Sequence, residues 1–134
     1  MEQEKACGCI IINDNKVLLV KHHQGHWGFP KGHVEENETE EETAIRETKE
    51  ETNIDVEIDN SHRYTIYYEV KENVMKEAVY FIAKMKSGNL KRQESEIAVA
   101  DWYDLNEAID IITHDNLKNM YKQVLEDLKK ENKI

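Results

Sequence analysis

The sequence predicts an α/β sandwich built on a mixed sheet. Three observations point there: a hairpin-like pair of apolar runs near the start, later apolar runs of strand length, and helical signals between and after them. Ala6–Ile12 and Lys16–Lys21 are the paired runs, with Asn13-Asp14-Asn15 as the turn between them. His22–Val34 carries Gly25, Gly28, Pro30 and Gly32 and reads as a loop-rich connection. Glu38–Thr52 lacks any helix breaker and is rich in helix formers. Thr39 followed by Glu42 is a capping-box signal, and Asn53 suits a left-handed helix end. Ile54–Ile58, Tyr64–Val70, Ala78–Met85 and Ala98–Tyr103 read as strands, and Leu105–Ile112 as a short helix. Leu117, Met120, Tyr121, Val124, Leu125 and Leu128 recur at helical spacing and predict an amphipathic last helix.

The chain has 134 residues, one proline, five glycines and no internal repeat, so residues 1–134 are expected to form a single domain. The formal net charge is −10, which disfavours DNA and long RNA as partners. The same field repels phosphorylated small molecules, so an enzyme of this charge acting on phosphates needs divalent cations at its site. Cys7 and Cys9 stand two apart, too close for an ordinary disulfide, and read as small buried thiols on one strand face. The N-terminus is charged and no run reaches membrane-spanning length, so a cytoplasmic protein without membrane contact is expected.

The chemistry-bearing segment runs from Gly32 to Ile54. Glu47, Glu50 and Glu51 lie at i, i+3 and i+4 and share one face of the predicted helix. Glutamates on a helix usually form a solvated surface. A face this acidic also suits hard cations that take oxygen ligands. The flanking residues decide between the two. Gly32, Glu38, Arg46, Glu47, Glu50, Glu51 and Ile54 fall in register with the Nudix box, a highly specific pattern. The chain therefore resembles the Nudix hydrolases. Thr48 stands where that pattern has an apolar residue, and Asn53 where it has glycine. Neither departure removes a carboxylate.

The resemblance implies the Nudix α/β/α sandwich, with the box (32–54) forming a loop–helix–loop. It implies that Glu47, Glu50 and Glu51 hold Mg²⁺, with Mn²⁺ as a substitute, and that a carboxylate activates water for attack on phosphorus. Arg46 would orient the carboxylates, while Gly32 and Glu38 would support the motif. Family members differ in which glutamate is the base.

The approach to the box, Trp27 through Pro30-Lys31-Gly32-His33-Val34-Glu35, is similar to the asymmetrical diadenosine tetraphosphate (Ap4A) hydrolases, which release ATP and AMP. Glu96, six residues before Trp102, resembles a further metal ligand or base of that subfamily. Lys31 reads as either a phosphate ligand or a solvated loop lysine, and His33 as either a phosphate donor or a loop histidine. Tyr67 and Tyr80 are candidates for stacking the base, although strand tyrosines more often serve the core. His22, His23 and His26 lack clean metal-ligand spacing.

The expected activity is hydrolysis of a pyrophosphate linkage in a nucleoside polyphosphate, with Ap4A as first choice. Alternatives are a MutT-like triphosphate pyrophosphohydrolase, an RNA 5′-pyrophosphohydrolase and, in another class, a Nudix-fold module that senses a nucleotide without cutting it. Retention of Glu47, Glu50 and Glu51 argues against the sensor, since a pure binder need not keep them.

Overall fold

The computed structural model describes residues 2–134, with side chains described from residue 4 onward. The first strand, β1 (Glu2–Asn13), meets β2 (Lys16–His22) only at Ile12↔Val17 and Asn13↔Lys16. Asp14 and Asn15 both take positive φ, the turn that the Asn-Asp-Asn signal predicts. Beyond that corner the two strands part. The stretch Glu2–Ile11 runs parallel to β6 (Val74–Ser87), while β2 pairs antiparallel with β7 (Ile97–Asp104). The expected hairpin is thus the hinge between two arms of the sheet.

Two short strands lie inside the segment read as loop. They are β3 (Trp27–Gly28), paired with β2, and β4 (Lys31–His33), paired with β1. The runs Ile54–Ile58 and Tyr64–Val70 belong to one long strand, β5 (Asp55–Lys71). Its pairing with β6 breaks register between Asp59 and Tyr64. The strand order is β3-β2-β1-β6-β5, with β4 added on β1 and β7 on β2. One parallel pair among antiparallel ones makes the sheet mixed, as expected.

The first helix, α1 (Glu40–Thr52), starts two residues later than its sequence signal because Thr39 is the N-cap. The capping box forms: Glu42 N–H donates to Thr39 Oγ1 (3.1 Å), and Thr39 N–H to Glu42 Oε1 (2.9 Å). Asn53 ends the helix at φ 65°, standing in for glycine. The helix α2 (Glu107–Ile111) is short, and α3 (Asp115–Lys130) buries the predicted stripe from Leu117 to Leu128.

Strand alternation separates two cores. Ala78, Tyr80 and Ile82 of β6 face the core closed by α3, with Ile10, Phe29 and Tyr121. Val79, Phe81 and Ala83 face the core under α1, with Ala44 and both buried free thiols, Cys7 and Cys9. Helices cover both faces, which is the expected sandwich. Among the described residues, no helix is long and apolar enough to cross a membrane.

Candidate active site

A carboxylate corner forms where α1 passes β4. Arg46 is its anchor. Its guanidinium donates to Glu38 through Nε (2.6 Å) and Nη2 (2.9 Å). Nη1 reaches Glu47 (2.8 Å) and Glu50 (3.2 Å), and Nη2 also reaches the His33 carbonyl (3.0 Å). This planar fork ties the entering loop to the helix and aims two glutamates. The Arg46 pairing, followed by a bond from the Glu35 backbone N–H, holds Glu38 down to about 2, so it stays an acceptor over all ordinary pH.

Gly32 is glycine because Glu47 lies against its backbone. A Cβ built there would fall 2.0 Å from the Glu47 carboxyl carbon. Gly8 of β1 is equally constrained, since a Cβ would meet the Pro30 carbonyl at 2.1 Å. Glu51 is 4% exposed and accepts from the Lys31 N–H at 3.2 Å. Burial, with further repulsion from Glu47 and Glu96, pushes it up to about 8. Glu47 is raised by burial as well, with repulsion from Glu50 and Glu96. The loop ahead of β7 brings Glu96 in: Lys91 and Gln93 donate to the Thr52 and Glu51 carbonyls at the end of α1.

Glu47, Glu50, Glu51 and Glu96 lie within electrostatic reach of one another: Glu47 and Glu96 act on Glu51, and Glu50 and Glu96 act on Glu47. Among the described residues, no three His, Cys, Asp or Glu side chains stand close enough to hold an ion as placed. The donor set nonetheless fits a hard divalent cation. All its atoms are carboxylate oxygens, and Glu51 is buried with Glu47 and Glu96 repelling it.

Beside this corner opens a cleft of about 600 Å³. Lys31 joins the two, since its backbone holds Glu51 and its side chain lines the cleft. Burial, and next the Lys76 ammonium, bring Lys31 down to about 8. Lys76, 9% exposed, lines the cleft too and has no carboxylate at ion-pair distance among the described residues. One wall is the β5 strand, through Ile66 and Tyr68. The other is built by His26, Trp27 and the start of α3. Trp27 is fixed edge-on by Tyr103, with ring centroids 5.6 Å apart.

Three expectations change. Tyr80 is 1% exposed and sits in the core beneath the cleft, edge-on to Phe29, so it offers no free face for stacking. Tyr67 points off the cleft, where its hydroxyl donates to Glu77 (2.8 Å). Its neighbour Tyr68 faces the cleft instead, half-buried, because side chains alternate along β5. The His33 ring lies outside the cleft lining, 3.6 Å from Glu4, and what His33 gives the site is its carbonyl. Lys76, Tyr68 and His114 escaped the sequence reading, since none belongs to a motif. A lysine at an apolar-facing strand position, flanked by Val74 and Ala78, was the one available signal.

Residues 2–128 match the NUDIX domain family model. Among curated proteins, the chain is 33% identical over 130 residues to the asymmetrical bis(5′-nucleosyl)-tetraphosphatase of Mus musculus, covering 85% of this chain and 88% of that one. It is 35% identical over 111 residues to Nudix hydrolase 2 of Arabidopsis thaliana, covering 76% of this chain but only 39% of that longer protein. Among solved structures it resembles a binary complex of the C. elegans Ap4A hydrolase, with TM-score 0.83, 30% identity, and coverage of 94% and 98% of the two chains.

Proposed function

The chain belongs to the Nudix family, and on that premise we propose that it hydrolyses nucleoside polyphosphates with Mg²⁺, Ap4A being the substrate that it cuts to ATP and AMP. The observation that carries this reading is a lysine-lined, aromatic-walled cleft joined through Lys31 to an acidic corner in which Glu51 is buried and repelled by Glu47 and Glu96. In this reading residues 1–134 act as one catalytic domain in the cytoplasm.

Glu47, Glu50, Glu51 and Glu96 would hold the cation, which would supply neutralisation of phosphate charge and a more acidic water. Arg46 keeps Glu47 and Glu50 aimed at the corner. Lys31 and Lys76 bind the phosphate chain, and their mutual repulsion in the free cleft is relieved by that polyanion. Tyr68 and the Trp27 ring receive the base. Water attacks phosphorus, a P–O bond of the anhydride breaks, and the water's proton passes to a carboxylate of the set. The leaving phosphate departs as the nucleotide product.

The test is a substrate panel with Mg²⁺ or Mn²⁺: Ap4A, an oxidised guanine nucleoside triphosphate, ADP-ribose and 5′-triphosphorylated RNA, each with wild type, Glu51→Gln and Glu96→Gln. Fastest turnover of Ap4A to ATP plus AMP, lost in Glu51→Gln, is expected. A different preferred substrate overturns the Ap4A assignment. Tight nucleotide binding without cleavage overturns the enzyme reading in favour of a sensor. Whichever variant keeps substrate affinity while losing kcat marks the base.

A further inference from the structure

Three histidine rings stand in a row across the cleft. His22, at the end of β2, stacks on His26 with ring centroids 4.2 Å apart and planes inclined by 17°. His26 lies 5.8 Å from His114, the residue capping α3. His114 makes no side-chain capping bond, so its ring is not engaged by its own helix. All three line the same cleft as Lys31 and Lys76. Stacked imidazoles cannot share an ion, and no three metal-ligating groups converge among the described residues. The row is therefore something other than a metal centre.

Its surroundings say what it can bind. The cations facing it are Lys31 from β4 and Lys76 from β6. The acids on the cleft lining are Glu69 on β5 and Asp115 on α3. Lys76 is nine-tenths buried and lacks a carboxylate partner among the described residues. An unpaired buried ammonium aimed into a cavity implies an anionic occupant. Lys31 spans from the Glu51 corner into the cleft, so a phosphate chain reacting at that corner passes the two lysines and reaches the histidines.

We propose that His22 and His114, on either side of His26, bind the part of the phosphate chain that is not being cut, and that the row takes up a proton as the chain docks. The proposal rests on the polyphosphate reading above. In the free cleft, burial first and then the cations nearby bring His22 down to about 4, and burial followed by His114 lowers His26. With their proton affinity lowered, His22 and His26 add little further positive charge beside Lys31 and Lys76. A polyanion within hydrogen-bond reach reverses the local field and favours imidazolium. Proton affinity is then higher in the bound state than in the free one. Binding strengthens as pH falls, and weakens as pH rises through the bound-state value. Longer phosphate chains gain more than short ones, because only they reach beyond the lysines.

The experiment is calorimetric titration of the full chain with inorganic tripolyphosphate in EDTA, run in buffers of different ionisation enthalpy at about pH 6.5 and about pH 8. Wild type is expected to take up protons on binding and to lose roughly tenfold in affinity at the higher pH. His114→Gln, at an exposed position, should weaken binding about three- to tenfold, the lower end for a hydrogen bond to a charged group because solvent screens it. At about pH 6.5, where Lys31 is already charged, His22→Gln should remove most of the proton uptake. In steady state both should raise KM for the polyphosphate substrate and spare kcat. Absence of proton uptake in wild type overturns the proposal. So does wild-type affinity in folded His114→Gln. Proton-linked binding by a chain that cuts no nucleotide would support the row while sinking the hydrolase reading.

Discussion

Replacing Gly32 with alanine should separate catalysis from folding. The added Cβ would sit 2.0 Å from the Glu47 carboxyl carbon and 2.1 Å from its Oε2. Carbon atoms in good contact lie about 3.5–4.0 Å apart, so the carboxylate has to retreat by more than ~1 Å. Glu47 is the far end of a flexible side chain, so the retreat is cheap for the fold, at about 1 kcal/mol. That corresponds to roughly 4 °C in Tm for a chain of this length. The retreat breaks the 2.8 Å bond to Arg46 and takes one oxygen ligand from the corner. Misplacing a catalytic group by ~1 Å costs on the order of 100-fold. Gly32→Ala should therefore lose about two decades in kcat, with nearly unchanged substrate affinity and a small Tm shift. Gly8→Ala is the control, because its Cβ meets backbone, the Pro30 carbonyl at 2.1 Å, which cannot swing away. That variant should fail in stability instead. Full kcat in Gly32→Ala would refute the argument that Glu47 must press on this backbone.

Other perturbations test the remaining contacts. Thr48 is fully buried and its hydroxyl has no hydrogen-bond partner among the described residues, so Thr48→Val should stabilise by about 1 kcal/mol, and a lower Tm would contradict this. Glu51 is raised to about 8, so the metal-free fold loses stability as pH climbs from the usual carboxylate range toward 8 and levels off above it. The loss is at most roughly 5 kcal/mol. Glu51→Gln should flatten that slope, and adding a divalent cation to wild type at the alkaline end should restore Tm. Identical pH profiles in thermal melts of wild type and variant would count against it. Arg46→Lys keeps the charge but loses the fork that serves Glu38, Glu47 and Glu50, so kcat should fall roughly 10- to 100-fold, and a wild-type rate would show that orientation is unimportant. Tyr68→Ala should raise KM for a nucleotide about tenfold or more but leave inorganic tripolyphosphate binding alone, whereas Tyr67→Ala should do neither.

Local signals carried much of this protein. The i, i+3, i+4 spacing put Glu47, Glu50 and Glu51 on one face, and Thr39 and Asn53 marked both helix ends, because caps and helix periodicity are properties of a few adjacent residues. The box register assigned Gly32, Glu38 and Arg46 their supporting places for the same reason. Alternation within β6 correctly divided Ala78, Tyr80 and Ile82 from Val79 and Phe81. What alternation could not say was which face opens to a cleft and which is sealed. That depends on where α3 lies against the sheet, so Tyr80 proved to be core, and Tyr68 replaced Tyr67 on the wall. The parting of β1 and β2 after two pairs, and the return of β7 onto β2, are long-range choices made by burial of two separate cores. The meeting of His26 with His114 and of Lys31 with Lys76 is likewise tertiary, for these residues come from different elements and have no shared motif. Sequence alone determined which three carboxylates share one face of α1, since that spacing is written along one helix and its caps. The lining of the cleft was decided only by the fold, because a cleft is made of whatever surfaces the packed elements leave facing one another.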